Sequence, residues 1–307
     1  MKIAIIGSGA MGSVYGGILA EAGNEVHLID IFEEHINKIN EHGLCIVENG
    51  QERYIKNISA TMDAKQVGAV DLAIVFVKST ITDIGVKQNK DVIGENTIVL
   101  TLQNGLGNIE KINKLVNLNQ IIAGTSANGA SMIEPGKINH AGNGGTIIGE
   151  IDGSITTRIR ELKTLLDLEK LGPCTISENV MGLIWDKLLV NAGVNPLTAL
   201  TGLKNGQLLD FEESTQILEE LVNEGIEVAK ALGIKLSYTN SDNCKGVCRA
   251  TSNNTSSMLA DVQNQRRTEI MNINGMLVKE GRKLNIKTPV NELMTNLVLL
   301  KEKSYSN

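Results

Sequence analysis

Lys187, Asn191 and Asn195 follow one another at four-residue intervals in the segment Trp185-Asp186-Lys187-Leu188-Leu189-Val190-Asn191-Ala192-Gly193-Val194-Asn195-Pro196. On a helix this spacing puts all three on one face about 12 Å long. Leu188, Leu189 and Ala192 fall on the opposite, apolar face. Asparagine is a poor helix former, and a merely solvated face would more typically carry Glu, Lys and Arg. The alignment therefore points to a bound ligand. An ammonium group can stabilise a developing oxyanion and deliver a proton, while amide donors hold a carbonyl or carboxylate in place.

A second constellation opens the chain. Residues 2–12 read KIAIIGSGAMG, an apolar run followed by Gly7-x-Gly9-x-x-Gly12 and a helix-like stretch to about Glu21. That order is the strand, turn and helix start of a dinucleotide-binding crossover. Gly7 allows the tight turn, Gly9 lets the backbone approach a pyrophosphate, and Gly12 lets helix and strand pack closely. The first-turn amides of Ala10, Met11 and Gly12 would then face the phosphates. A second strand, Glu25–Ile29, leads into Asp30, about 20 residues beyond the glycines, where a carboxylate accepts hydrogen bonds from the adenosine ribose.

Further candidates sit at strand ends and near the C-terminus. Lys78 follows the apolar run Leu72–Val77, and Gln103-Asn104-Gly105 follows Thr97–Leu102. Lys78 could reach a ribose or phosphate, and the Asn104 amide a nicotinamide or substrate. A surface lysine and an Asn-Gly turn fit the same spacing equally well. Thr255–Asp261 and Arg266–Ile270 form the last cluster. Ser257 and Glu269 lie about 120° apart around a straight helix, so they share a stripe only if the helix starts late or bends.

These residues need a scaffold. Strands are predicted at the N-terminus, at Glu25–Ile29, Leu44–Val47, Glu52–Ile58, Asp71–Val77, Thr97–Leu102, Ile121–Thr125, Ser131–His140 and Thr146–Gly149, with helices at Glu33–Glu41 and Ile81–Ile93 between them. This alternation is that of an α/β, Rossmann-like doubly wound parallel sheet. From about residue 154 the pattern is helical: Ile155–Glu169, Val180–Val194, Glu213–Leu232, Thr255–Leu284 and Val290–Glu302. Ile270, Ile273, Leu277 and Leu284 recur at helical spacing, as a core-facing stripe should. Pro196 marks the end or a kink of its helix. We place the boundary so that residues 1–178 form the dinucleotide-binding domain and 179–307 an all-helical substrate domain.

Composition narrows the class. A 307-residue chain with 42% hydrophobic and 21% charged residues fits two globular domains. A net charge of −6 without a Lys/Arg cluster argues against a nucleic-acid surface. Cys45, Cys174, Cys244 and Cys248 do not form a disulfide framework, and Cys244 and Cys248 have no histidine close by to complete a metal set. No metal is expected. The longest apolar run is too short to cross a bilayer and no signal peptide opens the chain, so a cytoplasmic location with no membrane partner is expected. The apolar C-terminal helices fit a core and fit the pairing of two copies, leaving a homodimer open.

Taken together, the chain resembles the ketopantoate reductase (2-dehydropantoate 2-reductase) family. The likeness runs through the glycine fingerprint, Gln103-Asn104-Gly105, the stretch from Trp185 to Leu200, and the Ser256–Asp261 and Thr268–Ile270 segments. It implies a Rossmann-like domain before a helical one, and reduction of a small 2-oxo acid, ketopantoate, to pantoate by NADPH. It also implies that Lys187 and Glu269 are catalytic, and that Asn191, Asn195, Ser257 and Asn205 bind substrate. Lys78 and Asn104 would line the cofactor. Two departures stand out. Many members carry an arginine after the second strand that grips the NADP phosphate, whereas this chain has Asp30-Ile31-Phe32-Glu33-Glu34. NAD is therefore expected over NADP. Met271 stands where the family often has an acidic residue. Both leave room for a related NAD-dependent D-2-hydroxyacid dehydrogenase acting on branched or aromatic 2-oxo acids. A dinucleotide sensor would keep the fingerprint but would not need the lysine–asparagine face.

Overall fold

The computed structural model describes residues 1–306. Its strands are β1 (Lys2–Ile6), β2 (Glu25–Ile29), β3 (Leu44–Glu48), β4 (Gln51–Ile55), β5 (Ser59–Thr61), β6 (Leu72–Val75), β7 (Ile98–Thr101), β8 (Ile121–Glu134), β9 (Lys137–Glu150) and β10 (Cys174–Ile176). The helices are α1 (Ala10–Glu21), α2 (Glu33–His42), α3 (Thr82–Gln88), α4 (Asn108–Asn113), α5 (Thr157–Leu166), α6 (Val180–Thr201), α7 (Glu212–Ala231), α8 (Asp242–Ala250), α9 (Ser257–Gln263), α10 (Asn274–Lys283) and α11 (Pro289–Lys303). The chain divides into two compact units. One comprises Met1–Gln103 with Asn108–Val180, and the other joins Asn104–Gly107 to the chain from Met181 onward.

The first unit is built on one sheet of ten strands, ordered β4-β3-β9-β8-β7-β6-β1-β2-β5, with β10 beside β9. β5, β2, β1, β6, β7 and β8 run parallel. β1 and β6 are almost purely aliphatic and nearly all buried, as strands covered on both faces must be. The doubly wound parallel expectation describes these six strands. The rest of the sheet is mixed: β8 and β9 pair antiparallel, β9 runs parallel to β3, and β3 pairs antiparallel with β4.

Here the predicted strands Ser131–His140 and Thr146–Gly149 need correction. β8 and β9 are 14 residues each and turn at Pro135-Gly136, in the middle of the segment read as one strand. Gly136 has φ +80°, and a Cβ there would lie 2.8 Å from the Lys38 Cβ. Register shifts along the hairpin let so long a pair follow the twist of the sheet. Two short strands, β5 and β10, escaped the sequence pattern. β10 lies inside the stretch read as wholly helical, after α5 ends at Leu166.

The second unit packs its helices around Leu188, Leu189, Ala192, Leu221, Val222, Leu277 and Val298. α6 runs 22 residues with Pro196 inside it, so the helix does not end at Val194 as predicted. α8 was not predicted; its Cys244 and Cys248 are fully buried free thiols. The single helix predicted over Thr255–Leu284 is broken. α9 stops at Gln263, Gln265 takes φ +51°, and the Arg266 and Gln265 amides donate to the carbonyls of Asp261 and Val262. This is a Schellman stop with glutamine in the left-handed position that glycine usually fills, so the sequence lacks the usual signal.

Candidate active site

The glycine loop behaves as its spacing demands. Gly7 has φ +92°, and a Cβ on it would lie 2.6 Å from the Val77 nitrogen. A Cβ on Gly12 would collide with the Gly7 carbonyl oxygen, whereas one on Gly9 would meet only open space. Gly9 is thus the point where an outside group can reach the backbone. It is also the N-cap of α1, which has no side-chain cap and no acidic residue in its first turn. The amides of Ala10, Met11 and Gly12 accordingly open a helix N-terminus suited to a pyrophosphate. Asp30 follows β2 half-buried, and its carboxylate accepts from the Phe32 amide at 3.1 Å. The donors and acceptors fit a dinucleotide.

Three buried side chains that the sequence did not single out brace this loop. Ser13 Oγ donates to the Ser8 carbonyl at 2.7 Å and lies 3.1 Å from His35 Nε2, while His35 Nδ1 accepts from the Gly136 amide at 2.9 Å. Accepting at Nδ1 assigns a neutral imidazole with its proton on Nε2. Burial agrees, lowering the His35 pKa, with Asp30 pulling the other way. Tyr15 on α1 is buried as well, its hydroxyl 2.8 Å from Ser126 Oγ and 2.6 Å from Thr146 Oγ1. Burial raises its pKa, so it stays a neutral donor.

Lys78 is exposed just after β6, at the head of a short 3₁₀ turn. The three residues after β7 divide their work. Gln103 Nε2 donates to the Val77 carbonyl at 2.6 Å and to Thr82 Oγ1 at 2.8 Å, tying two strand ends of the first unit together. Asn104 is half-buried and belongs to the second unit. Gly105, at φ +80°, allows close approach to Asn272, whose carbonyl accepts the Leu106 amide at 3.0 Å.

In the second unit α6 carries Lys187, Asn191 and Asn195 as predicted. Asn195 is buried, and Lys187 and Asn191 are half-buried. Glu269 reaches Lys187 because α9 has ended. Thr268 takes Glu302 of α11 through both its amide (2.8 Å) and its hydroxyl (2.6 Å), and Glu269 follows at the start of a 3₁₀ turn. Burial lowers the Lys187 ammonium to about 8, and Glu269 opposes that shift. The helical angle between Ser257 and Glu269 no longer applies, because the helix that starts at Ser257 ends at Gln263, before Glu269.

The remaining predicted residues are placed less simply. Ser257 is the exposed first residue of α9, and the N-cap is its neighbour Ser256. Ser256 Oγ accepts the Leu259 amide at 3.0 Å and lies 2.7 Å from Thr198 Oγ1, which fixes the start of α9 against α6. The Asn205 amide nitrogen donates to Thr251 Oγ1 at 3.0 Å, while its buried Oδ1 has no partner. That oxygen is the group Asn205 can offer a ligand. Among the described residues no three His, Cys, Asp or Glu side chains converge as a metal site would require. No helix among the described residues is long and apolar enough to cross a membrane.

A dinucleotide-type sheet followed by a helical unit with a half-buried lysine beside a glutamate defines a nicotinamide-dependent oxidoreductase. Two family models match, "Ketopantoate reductase PanE/ApbA" over residues 3–153 and its C-terminal counterpart over 179–302. A 2-dehydropantoate 2-reductase of Pyrococcus horikoshii is 36% identical over 302 residues, 98% of each chain. A PanE/ApbA family ketopantoate reductase from Ralstonia eutropha JMP134 superposes with a TM-score of 0.91 at 31% identity, covering 100% of both chains. D-mandelate dehydrogenase in its ternary structure with NADH and anilino(oxo)acetate gives 0.93 at 30%, with the same coverage. The chain belongs to the ketopantoate reductase family.

Proposed function

We propose that this protein reduces the C2 carbonyl of ketopantoate to give pantoate, with residues 1–178 holding the dinucleotide and 179–307 the substrate. The observation that carries this reading is the Lys187–Glu269 pair. A lysine near 8 is charged at neutral pH yet acidic enough to give up its proton readily. When bound, the reduced nicotinamide supplies the hydride. Lys187 stabilises the negative charge that develops on the carbonyl oxygen and then protonates it. Glu269 holds the ammonium in place and in its charged form. Asn191, Asn195, Asn205, Ser257 and Asn104 orient the carboxylate and carbonyl, and Lys78 adds a positive charge for the cofactor.

The cofactor is NAD(H). Asp30 stands where the ribose hydroxyls would bind, and the stretch to Glu34 holds three carboxylates and no Arg or Lys to grip a 2′-phosphate. The same feature, with the likeness to an NADH-bound D-mandelate dehydrogenase, supports a second reading: an NAD-dependent D-2-hydroxyacid dehydrogenase for branched or aromatic 2-oxo acids. The four free thiols and the lack of a spanning helix among the described residues support a cytoplasmic enzyme. Exposed Leu293, Leu297 and Leu300 on α11 support a homodimer.

Steady-state assays of ketopantoate, 2-oxoisocaproate and phenylglyoxylate, each with NADH and NADPH, test all of this. We expect the highest kcat/KM for ketopantoate with NADH, by about tenfold or more over NADPH. A preference for NADPH overturns the cofactor assignment. A preference for phenylglyoxylate replaces the first reading by the second.

A further inference from the structure

Pro196 creates a local problem inside α6. It has no amide hydrogen, so the Ala192 carbonyl one turn earlier loses its helical partner. Asn274, the first residue of α10, supplies the missing donor. Its Nδ2 lies 3.0 Å from the Ala192 oxygen and 2.9 Å from Asn291 Oδ1. Asn291 Nδ2 in turn donates to the Leu221 carbonyl at 3.0 Å and to Glu224 Oε2 at 2.7 Å. The relay has one direction only. The Leu221 carbonyl can only accept, so Asn291 must point its amide nitrogen at that side and its oxygen at Asn274. Both hydrogens of Asn274 are then spent, and its own Oδ1 is left buried without a partner. A fully buried orphan acceptor is costly, and the two bonds donated by the Asn274 amide offset that cost.

The placement of this relay bears on the site. Asn274 is five residues beyond Glu269, and Ala192 is five residues beyond Lys187. The bond joins the same two stretches of chain as the Lys187–Glu269 pair, further along each. Between them Asn272 accepts the Leu106 amide beside Asn104. We infer that Asn274 is a positioning residue for the reaction: by replacing the helical bond that Pro196 removes, it sets α6 against the Glu269 segment and fixes the Lys187–Glu269 spacing. The inference rests on the reductase reading of that pair.

Two substitutions separate positioning from mere satisfaction of a carbonyl. Asn274→Ala removes the tether. Pro196→Ala restores an amide hydrogen that can bond Ala192 within the helix, so the double variant N274A/P196A keeps that carbonyl satisfied. Thermal melts and pH profiles of kcat are measured for wild type and for both variants. We expect N274A to melt about 4 °C lower and to lose about tenfold or more in kcat at unchanged NADH affinity. Its alkaline limb should move to lower pH, because Lys187 loses the neighbouring carboxylate. The double variant should regain the melting temperature but neither kcat nor the limb. Recovery of kcat and the limb in N274A/P196A, or a wild-type profile in N274A, overturns the assignment. Failure of the wild type to turn over any 2-oxo acid would instead overturn the reductase reading, leaving the melting comparison as a test of the tether alone.

Discussion

In the proposed reading the glycine loop and the α6 face would bind by opposite means. At the loop the reactive surface is backbone: Gly7 and Gly12 clear space that a single methyl group would fill, and the amides of α1 do the work. At α6 the surface offered is side chain: Thr268, just before Glu269, is tied to Glu302 of α11, and Asn274 of α10 bonds the Ala192 carbonyl of α6. The first region should therefore fail when atoms are added and the second when atoms are removed. Neither failure should spread to the other function.

The largest effect should come from Lys187→Ala. We expect kcat to fall about a thousandfold, with NADH affinity changed less than about twofold. Equal losses in both would erase the contrast, and unchanged activity would return the chain to the dinucleotide-sensor reading. Next comes Gly12→Ala, whose added carbon meets the Gly7 carbonyl. NADH binding followed by fluorescence should weaken about a hundredfold, while Tm drops and the Lys187 limb of any residual activity stays in place. A variant that binds NADH normally would show that the loop has slack that the structure does not display.

The smallest effect is graded by pH. In the proposed reaction the Lys187 ammonium is the acid, and burial lowers its pKa to about 8. Activity should hold below that value and fall by about tenfold per pH unit well above it, as the charged form is lost. Glu269→Gln removes the charge that holds the ammonium up, so the limb should move to lower pH. A limb that moves upward would mean that the carboxylate acts on something other than Lys187.

How much of this could be read beforehand follows the same division. The glycine loop was legible because steric need leaves a spaced residue signature, and β2 followed by Asp30 completed it. The polar face of α6 was legible because asparagines there run against helix propensity. The break after α9 was not, since glutamine at Gln265 gives no warning of a left-handed residue. Pro135-Gly136 did give a turn signal, but alternating residues on either side read as one strand through it. Asn274, Asn291 and Glu224 were invisible for a different reason. Their meaning lies in four helices meeting, and no local pattern encodes a carbonyl orphaned 82 residues away.

The position of β9 has a consequence for how the protein is made. β3 and β4 form a hairpin early in the chain, yet the parallel neighbour of β3 is β9, with Cys45 opposite Lys137. During synthesis that hairpin leaves the ribosome with one edge open and waits while some ninety further residues are added. Long-range parallel pairing of this kind closes slowly and exposes an edge meanwhile. Completion of the first unit thus hinges on the arrival of one late strand, and a nascent chain halted before residue 137 would carry an unsealed sheet.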